Sequence, residues 1–167
     1  VTENMELSVE GDNGNDCIGE AAIVITAQPN PTVTIVGNLQ PCEGTMETYM
    51  ASGASNYQWS NGDVGATTTI LVTESMELSV EGDNGNDCIG EAAIVINPQP
   101  NPTVTIVGNL QPCEGTMETY TASGASNYEW SNGDVGATTT ILVTENMELS
   151  VEGDNGNDCI GEAAIVI

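Results

Sequence analysis

The chain has 167 residues, 25 of them Asp or Glu, and no Lys, Arg or His, so its formal charge is −25. Without a cation it cannot displace counterions from phosphate, which argues against nucleic acid as a partner, and it has no basic cluster to hold an anionic bilayer. Schiff-base chemistry on Lys and acid–base chemistry on His are excluded by the same count, and the expectation is a soluble protein that is not an enzyme.

The first stretch of the chain already announces a repeat. Val1-Thr2-Glu3-Asn4-Met5-Glu6-Leu7 returns from Val72 and again, at the same interval, from Val143. The two full copies differ at five positions only: Asn4/Ser75, Thr26/Asn97, Ala27/Pro98, Met50/Thr121 and Gln58/Glu129. A third copy runs from Val143 to Ile167. Such self-similarity marks an array of like units rather than one domain of this length. The chain reads as a window on a longer array: 1–27 the closing hairpin of a preceding unit, 28–98 one unit and 99–167 another.

In chain order, Val1–Ile25 reads as two strands around an Asx- and Gly-rich turn. Gln28-Pro29-Asn30-Pro31 follows as a linker whose prolines restrict bending. Within the unit, Val33 and Ile35 alternate with Thr32 and Thr34; Tyr49 and Ala51 share a face, as do Tyr57 and Trp59, then Ile70 and Val72. Met76, Leu78 and Val80 alternate with Glu77, Ser79 and Glu81. The run Ala92–Ile96 is continuous, with Ile94 and Ile96 placed inward. These β-branched and aromatic residues, with period two, predict strands. Ser52-Gly53, Asn61-Gly62 and the Gly82–Asp87 loop supply the turns, and no stretch carries a helical period. Where the copies differ, Met50/Thr121 and Gln58/Glu129 tolerate polarity and are expected to face water. Six or seven short strands per unit, with Trp59 and Tyr57 (and Trp130 and Tyr128 in the next copy) in the core, predict an all-β chain of tandem immunoglobulin-like β-sandwiches, set in a row as a rod or filament.

Cys17, Cys42, Cys88, Cys113 and Cys159 alternate between spacings of 25 and 46. One pairing joins Cys42 to Cys88 and Cys113 to Cys159, and gives Cys17 a partner upstream of Val1. The other joins Cys17 to Cys42 and Cys88 to Cys113 across the Pro-containing linkers. The first keeps each bridge inside one unit and is preferred; a bridge of that span would add about 4 kcal/mol to a unit too small for a large core. Zinc lacks the CxxC spacing and His that it usually takes. Disulfides place the chain in an oxidising, extracellular or cell-surface setting.

One loop concentrates oxygen ligands: Asp83, Asn84, Asn86 and Asp87, with copies Asp12, Asn13, Asn15, Asp16 and Asp154, Asn155, Asn157, Asp158. Calcium takes six to eight such oxygens, which makes Ca²⁺ the one cofactor to consider. The EF-hand spacing is not met, and Asx and Gly residues are equally the material of a hairpin turn, which is the preferred reading. Glu77, Glu81 and Glu91 lie at outward positions with nothing to set them apart as a catalytic pair. Tyr57 and Trp59 could stack on a sugar, but aromatics on such a strand more often fill the core. Both Asn-x-Thr sequons are blocked by proline, at Asn30-Pro31-Thr32 and Asn101-Pro102-Thr103.

Pro41-Cys42-Glu43-Gly44, Ala51-Ser52-Gly53, Tyr57-Gln58-Trp59-Ser60-Asn61-Gly62 and Gly82-Asp83-Asn84-Gly85-Asn86-Asp87-Cys88 resemble the repetitive Ig-like/PKD-like modules of Bacteroidota surface proteins, among them gliding adhesins of the SprB type and other giant adhesins of type IX secretion. The resemblance covers both full copies and the terminal fragment. Glu47 departs from the pattern, which has an aliphatic residue there, so that strand is expected to open to solvent at its start. The resemblance implies a stalk or filament segment at the cell surface, partnered by further repeats of the same polypeptide. Two other functions remain open: an adhesion module that binds carbohydrate or uses Ca²⁺ in its repeated loops, and a filament subunit that pairs with neighbouring chains along strand edges.

Overall fold

The computed structural model describes residues 3–15 and 17–167; Val1, Thr2 and Asp16 lie outside the described residues. All regular structure among them is β, in fourteen strands. They are β1 (Met5–Asp12), β2 (Ile18–Ile25), β3 (Thr34–Val36), β4 (Thr45–Ser52), β5 (Asn56–Trp59), β6 (Thr67–Val72), β7 (Met76–Asp83), β8 (Ile89–Ile96), β9 (Thr105–Val107), β10 (Met117–Ser123), β11 (Asn127–Trp130), β12 (Thr138–Leu142), β13 (Glu148–Asp154) and β14 (Ile160–Val166). Four three-stranded sheets, ordered β3-β4-β6, β5-β7-β8, β9-β10-β12 and β11-β13-β14, accompany the two-stranded sheet β1-β2. The near-identical copies thus fold alike.

The contacts divide the chain into two compact units. One comprises 36–49, 68–78 and 94–167, and its core is shared by two sheets. Tyr120 and Ala122 of β10 and Ile141 of β12 come from one sheet. Trp130 of β11 and Leu149 and Val151 of β13 come from the other. Alternation along each strand produces this: in β13, Leu149, Val151 and Gly153 are buried while Glu148 and Glu152 are exposed, as a period of two requires. Each large apolar side chain buried here contributes about 1.5–3 kcal/mol. The polar atoms of the buried aromatics are satisfied. The Trp130 indole N–H donates to the Gly136 carbonyl at 2.9 Å and the Tyr120 hydroxyl to that of Asn109 at 2.8 Å.

On the outer face, Thr119 and Thr140 link hydroxyls at 2.9 Å, and Thr105 and Ser123 do so at 2.8 Å. The β11–β12 connection turns at Asn132-Gly133. There the N–H of Gly133, at φ 87°, donates to Trp130 O at 2.8 Å, a conformation glycine adopts without strain.

The other unit comprises 1–35, 50–67 and 79–93. Val33, Ala51, Trp59 and Val80 are buried in it, and Trp59 donates to Gly65 O at 2.9 Å. The hairpin β1–β2 pairs Met5 with Ile25, Leu7 with Ile23 and Val9 with Ala21. Both of its strands are exposed almost throughout.

Several inward assignments match the sequence reading. Trp59 and Trp130 are 2% exposed, Tyr49 and Ala51 are buried, and Met50, Thr121, Gln58 and Glu129 face water. The aromatic core differs in one respect. Tyr57 and Tyr128 are only half-buried, and the fully enclosed tyrosines are Tyr49 and Tyr120. The Tyr57 and Tyr128 hydroxyls each bridge the backbone of one turn, accepting from Ala54 or Ala125 N–H and donating to the same residue's carbonyl at 2.8 Å. That holds the ring at the rim. Glu47, expected to open its strand to solvent, is half-buried in line with Tyr49 and accepts from the Thr45 hydroxyl at 3.3 Å.

Candidate functional site

The feature that departs most from a string of independent modules is the segment where one copy gives way to the next. Pro98, Pro100 and Pro102 remove three N–H donors from 97–102, leaving few groups with which this stretch could join a sheet. The donors at Asn97 and Gln99 are used. Asn97 N–H donates to Leu39 O at 2.9 Å and Gln99 N–H to Pro41 O at 2.7 Å, while Gln99 O accepts from Glu43 N–H at 2.8 Å. Cys42 and Gln99 form a parallel bridge, and the Asn101 side-chain amide donates to Glu43 O at 3.1 Å. The Asn155 amide reaches Pro100 O at 3.4 Å. Pro41 and Cys159 are enclosed by this arrangement. A stretch poor in donors is thereby held at Asn97, Gln99, Pro100 and Asn101.

Cys42 and Cys159 close the junction with a disulfide whose Cα atoms are 5.3 Å apart, across 117 residues of sequence. This replaces the expected pairs Cys42–Cys88 and Cys113–Cys159; Cys17, Cys88 and Cys113 are free thiols. The reason is legible in the second copy. Cys113 precedes the turn in which Gly115 N–H donates to Val143 O, near the end where Met147 meets Ile167. Cys159 lies beside Ile160, which faces Asp154 at the opposite end of the β13–β14 ladder. The seven residues of β13, at about 3.3 Å each, separate those ends by roughly 20 Å, against the ~7 Å limit on Cα atoms of a disulfide. A bridge inside this copy cannot close. The alternative pairs Cys17–Cys42 and Cys88–Cys113 are not formed either. The signal available in the sequence was the position of each cysteine relative to its strand: one precedes β4 or β10, the other follows β7 or β13.

The Asx-rich loops use their oxygens on their own backbone. Asp83 Oδ1 accepts from Gly85 N–H at 2.5 Å, and Asn84 Oδ1 from Asn86 N–H at 3.1 Å. Asp154 and Asn155 do the same for Gly156 and Asn157, and Asp12 for Gly14. The Asn56 amide adds bonds to both Asp83 oxygens and that of Asn127 to both Asp154 oxygens. Asp87 and Asp158 take positive φ of 59° and 63°, which short polar side chains tolerate. Among the described residues no three acidic or Cys side chains converge as metal ligands.

A surface groove recurs in both copies. In the second, 126–129, 135–137, 152–154 and Ile160 wall an open space of about 460 Å³; in the first, 55–58, 64–66, 81–83 and Ile89 wall one of about 450 Å³. Val135 and Val64 are well exposed on these walls, and Glu129 in one becomes Gln58 in the other. The aromatic platform is not available, because the tryptophans are buried. Asp134, in the adjoining turn, accepts from the Thr139 hydroxyl at 2.5 Å and from the Asn132 amide at 3.0 Å. Those two bonds, Thr139's first, hold its carboxyl below the ordinary range.

No known protein family matches the sequence, and no curated protein matches it either. Among solved structures the chain is similar to a beta-glucuronidase from glycoside hydrolase family 2, with 12% identity and a TM-score of 0.29. The match covers 83% of this chain and 20% of that one. At that level the likeness carries no functional argument.

Proposed function

We propose that this chain is a structural repeat segment of an extracellular fibre or giant cell-surface adhesin, built of tandem immunoglobulin-like sandwiches at 28–98 and 99–167 behind the closing hairpin of another. Its work is reach and mechanical resistance, without catalysis. One observation carries the reading: the inter-copy segment 97–101 is bonded to Leu39, Pro41 and Glu43 and closed by Cys42–Cys159. An independent module gains little from a covalently locked linker, whereas a stalk gains resistance to bending and to proteolysis of its joints. The formed disulfide is compatible with an extracellular setting, and no helix among the described residues is long and apolar enough to cross a membrane.

Solution scattering tests the proposal. Strands of about eight residues at roughly 3.3 Å, with end loops and linker, give about 35–40 Å per copy, so the chain should scatter as a rod with that axial step. A compact particle, or an axial step far below that range, overturns it. The recurring 450 and 460 Å³ grooves favour a second reading, an adhesion module that gains avidity from repeated weak sites. Specific binding on a glycan array, lost on Tyr128→Ala plus Tyr57→Ala, would support that reading over the first.

A further inference from the structure

The bonded pair Cys42–Cys159 and the three free thiols stand in a simple relation. Cys113 occupies in the second copy the place that Cys42 holds in the first, and Cys17 and Cys88 are the counterparts of Cys159. The residues that receive the linker at Cys42 are also present around Cys113. Asn38-Leu39-Gln40-Pro41-Cys42-Glu43-Gly44 recurs without change as Asn109-Leu110-Gln111-Pro112-Cys113-Glu114-Gly115. Its local fold recurs too: Gly44 donates to Val72 O and Gly115 to Val143 O, both at 2.7 Å, and Thr45 and Thr116 N–H donate to Cys42 O and Cys113 O, both at 3.2 Å. What differs is the cover. Pro41 is enclosed by segment 97–101, while its counterpart Pro112 is half-buried and Cys113 is exposed.

Gln28-Pro29-Asn30-Pro31 likewise repeats Gln99-Pro100-Asn101-Pro102, and Cys88 Sγ lies 3.9 Å from Gln28 O. The chain therefore carries one filled station, one empty receiving face and one unused plug.

Resting on the tandem reading above, we infer that the Leu110–Glu114 face is a docking surface for a further repeat of this same sequence in the same polypeptide. That repeat's counterpart of Gln99 lies along Pro112 and Glu114, and its counterpart of Cys159 bonds Cys113. The array is then stitched copy to next copy, never within a copy, and Cys88 serves a preceding copy in the same way. Bond formation needs an oxidant of the small-molecule disulfide class, such as oxidised glutathione. The Cys113 thiolate attacks one glutathione sulfur and releases one glutathione thiol. The loop thiolate then attacks the Cys113 sulfur and releases the second, so two protein thiols become one disulfide and two glutathione thiols result.

The test extends the full chain by one further copy of residues 97–167, folds it with a glutathione redox couple, and maps disulfides without reduction after alkylation. In the parent chain Cys113 should be alkylated completely. In the extended chain that label should be lost, and Cys113 should be recovered joined to the added copy's counterpart of Cys159, beside Cys42–Cys159. Cys113→Ser in the extended chain should expose the new loop thiol to alkylation and leave Cys42–Cys159 intact. Persistent labelling of Cys113, its pairing with Cys88, or covalent dimers through Cys113 would overturn the inference. Scattering on the same sample separates this from the parent reading: a rod lengthened by one step with Cys113 still free leaves the stalk standing and removes the stitch.

Discussion

Leu7 and Leu149 occupy the same place in two identical hairpin sequences, yet Leu149 is 1% exposed and Leu7 54%. The chain thus contains its own control for burial. Leu149→Ala should cost about 2–5 kcal/mol in chemical denaturation, and Leu7→Ala less than about 0.5 kcal/mol. Glycines show the same contrast. A Cβ on Gly161 would lie 1.8 Å from Pro102 O, whereas one on Gly19 meets only Gly11 O at 3.9 Å. Gly161→Ala should therefore displace the start of the second copy and lower its melting temperature by several degrees, with Gly19→Ala close to neutral. Asp134 gives a pH signature. Its folded pKa is depressed, so its contribution is present above the ordinary carboxylate range and is lost as pH falls through the folded value. Across the chain, acid also relieves repulsion among 25 carboxyl groups, an effect of the opposite sign. The difference between wild type and Asp134→Asn isolates the local contribution: it should begin to shrink as pH falls below about 4 and be gone only below the depressed folded value. Convergence absent from denaturation midpoints over that range would remove the role given to the Thr139 and Asn132 bonds.

Among the elements, identical sequence does not give identical burial. Met5–Ile25, Met76–Ile96 and Met147–Ile167 have the same sequence throughout. Leu149 and Val151 of the third are buried in a core lined by two sheets, and Leu78 and Val80 of the second are buried equally well. The first pairs its strands in the same register but leaves Leu7, Val9 and Ile23 at 54–65% exposure, and a lone two-stranded hairpin is marginal in water. Hydrogen exchange should therefore find the amides of β1–β2 among the fastest of any strand and those of β13 among the slowest, although the peptides are chemically alike. Equal protection of the two hairpins would mean that something covers the first.

At the scale of the whole molecule the junction dominates. Closing a loop of 117 residues removes chain entropy from the unfolded state worth about 5 kcal/mol in the loop-closure model. Reduction, or Cys42→Ser with Cys159→Ser, should lower thermal stability and speed proteolysis within 97–101, read by mass spectrometry of the first cleavage products. The hydrogen bonds of that segment to Leu39, Pro41 and Glu43 do not require the sulfur bridge, so partial protection should survive. Tyr120 adds an alkaline limit. Burial first, then the Glu118 charge, raises its pKa, so its contribution is present below about pH 10 and is lost as pH rises through the folded value.

Features that depend on neighbours close along the chain are legible without the fold. The period-two alternation in β6, β7 and β13, the Asn-Gly and Asx-rich turns, the buried Trp59 and Trp130 and the water-facing Met50/Thr121 and Gln58/Glu129 all follow from local pattern and from comparing copies. Which distant groups meet follows only from how the strands are arranged in space. The two cysteines of the second copy look like a natural pair on the sequence, but Cys113 precedes β10 and Cys159 lies by the Asp154–Ile160 end of a ladder about 20 Å long, away from the end that Val143 leads into. Tyr57 and Tyr128 look like core and become rim, because a turn carbonyl and N–H capture each hydroxyl. The linker looks like a spacer stiffened only by its prolines and becomes a bonded segment, because the carbonyls of Leu39 and Pro41, far earlier in the chain, accept its N–H groups. Spacing along a chain carries no information about which end of a sheet a residue reaches until the strands have been given a direction.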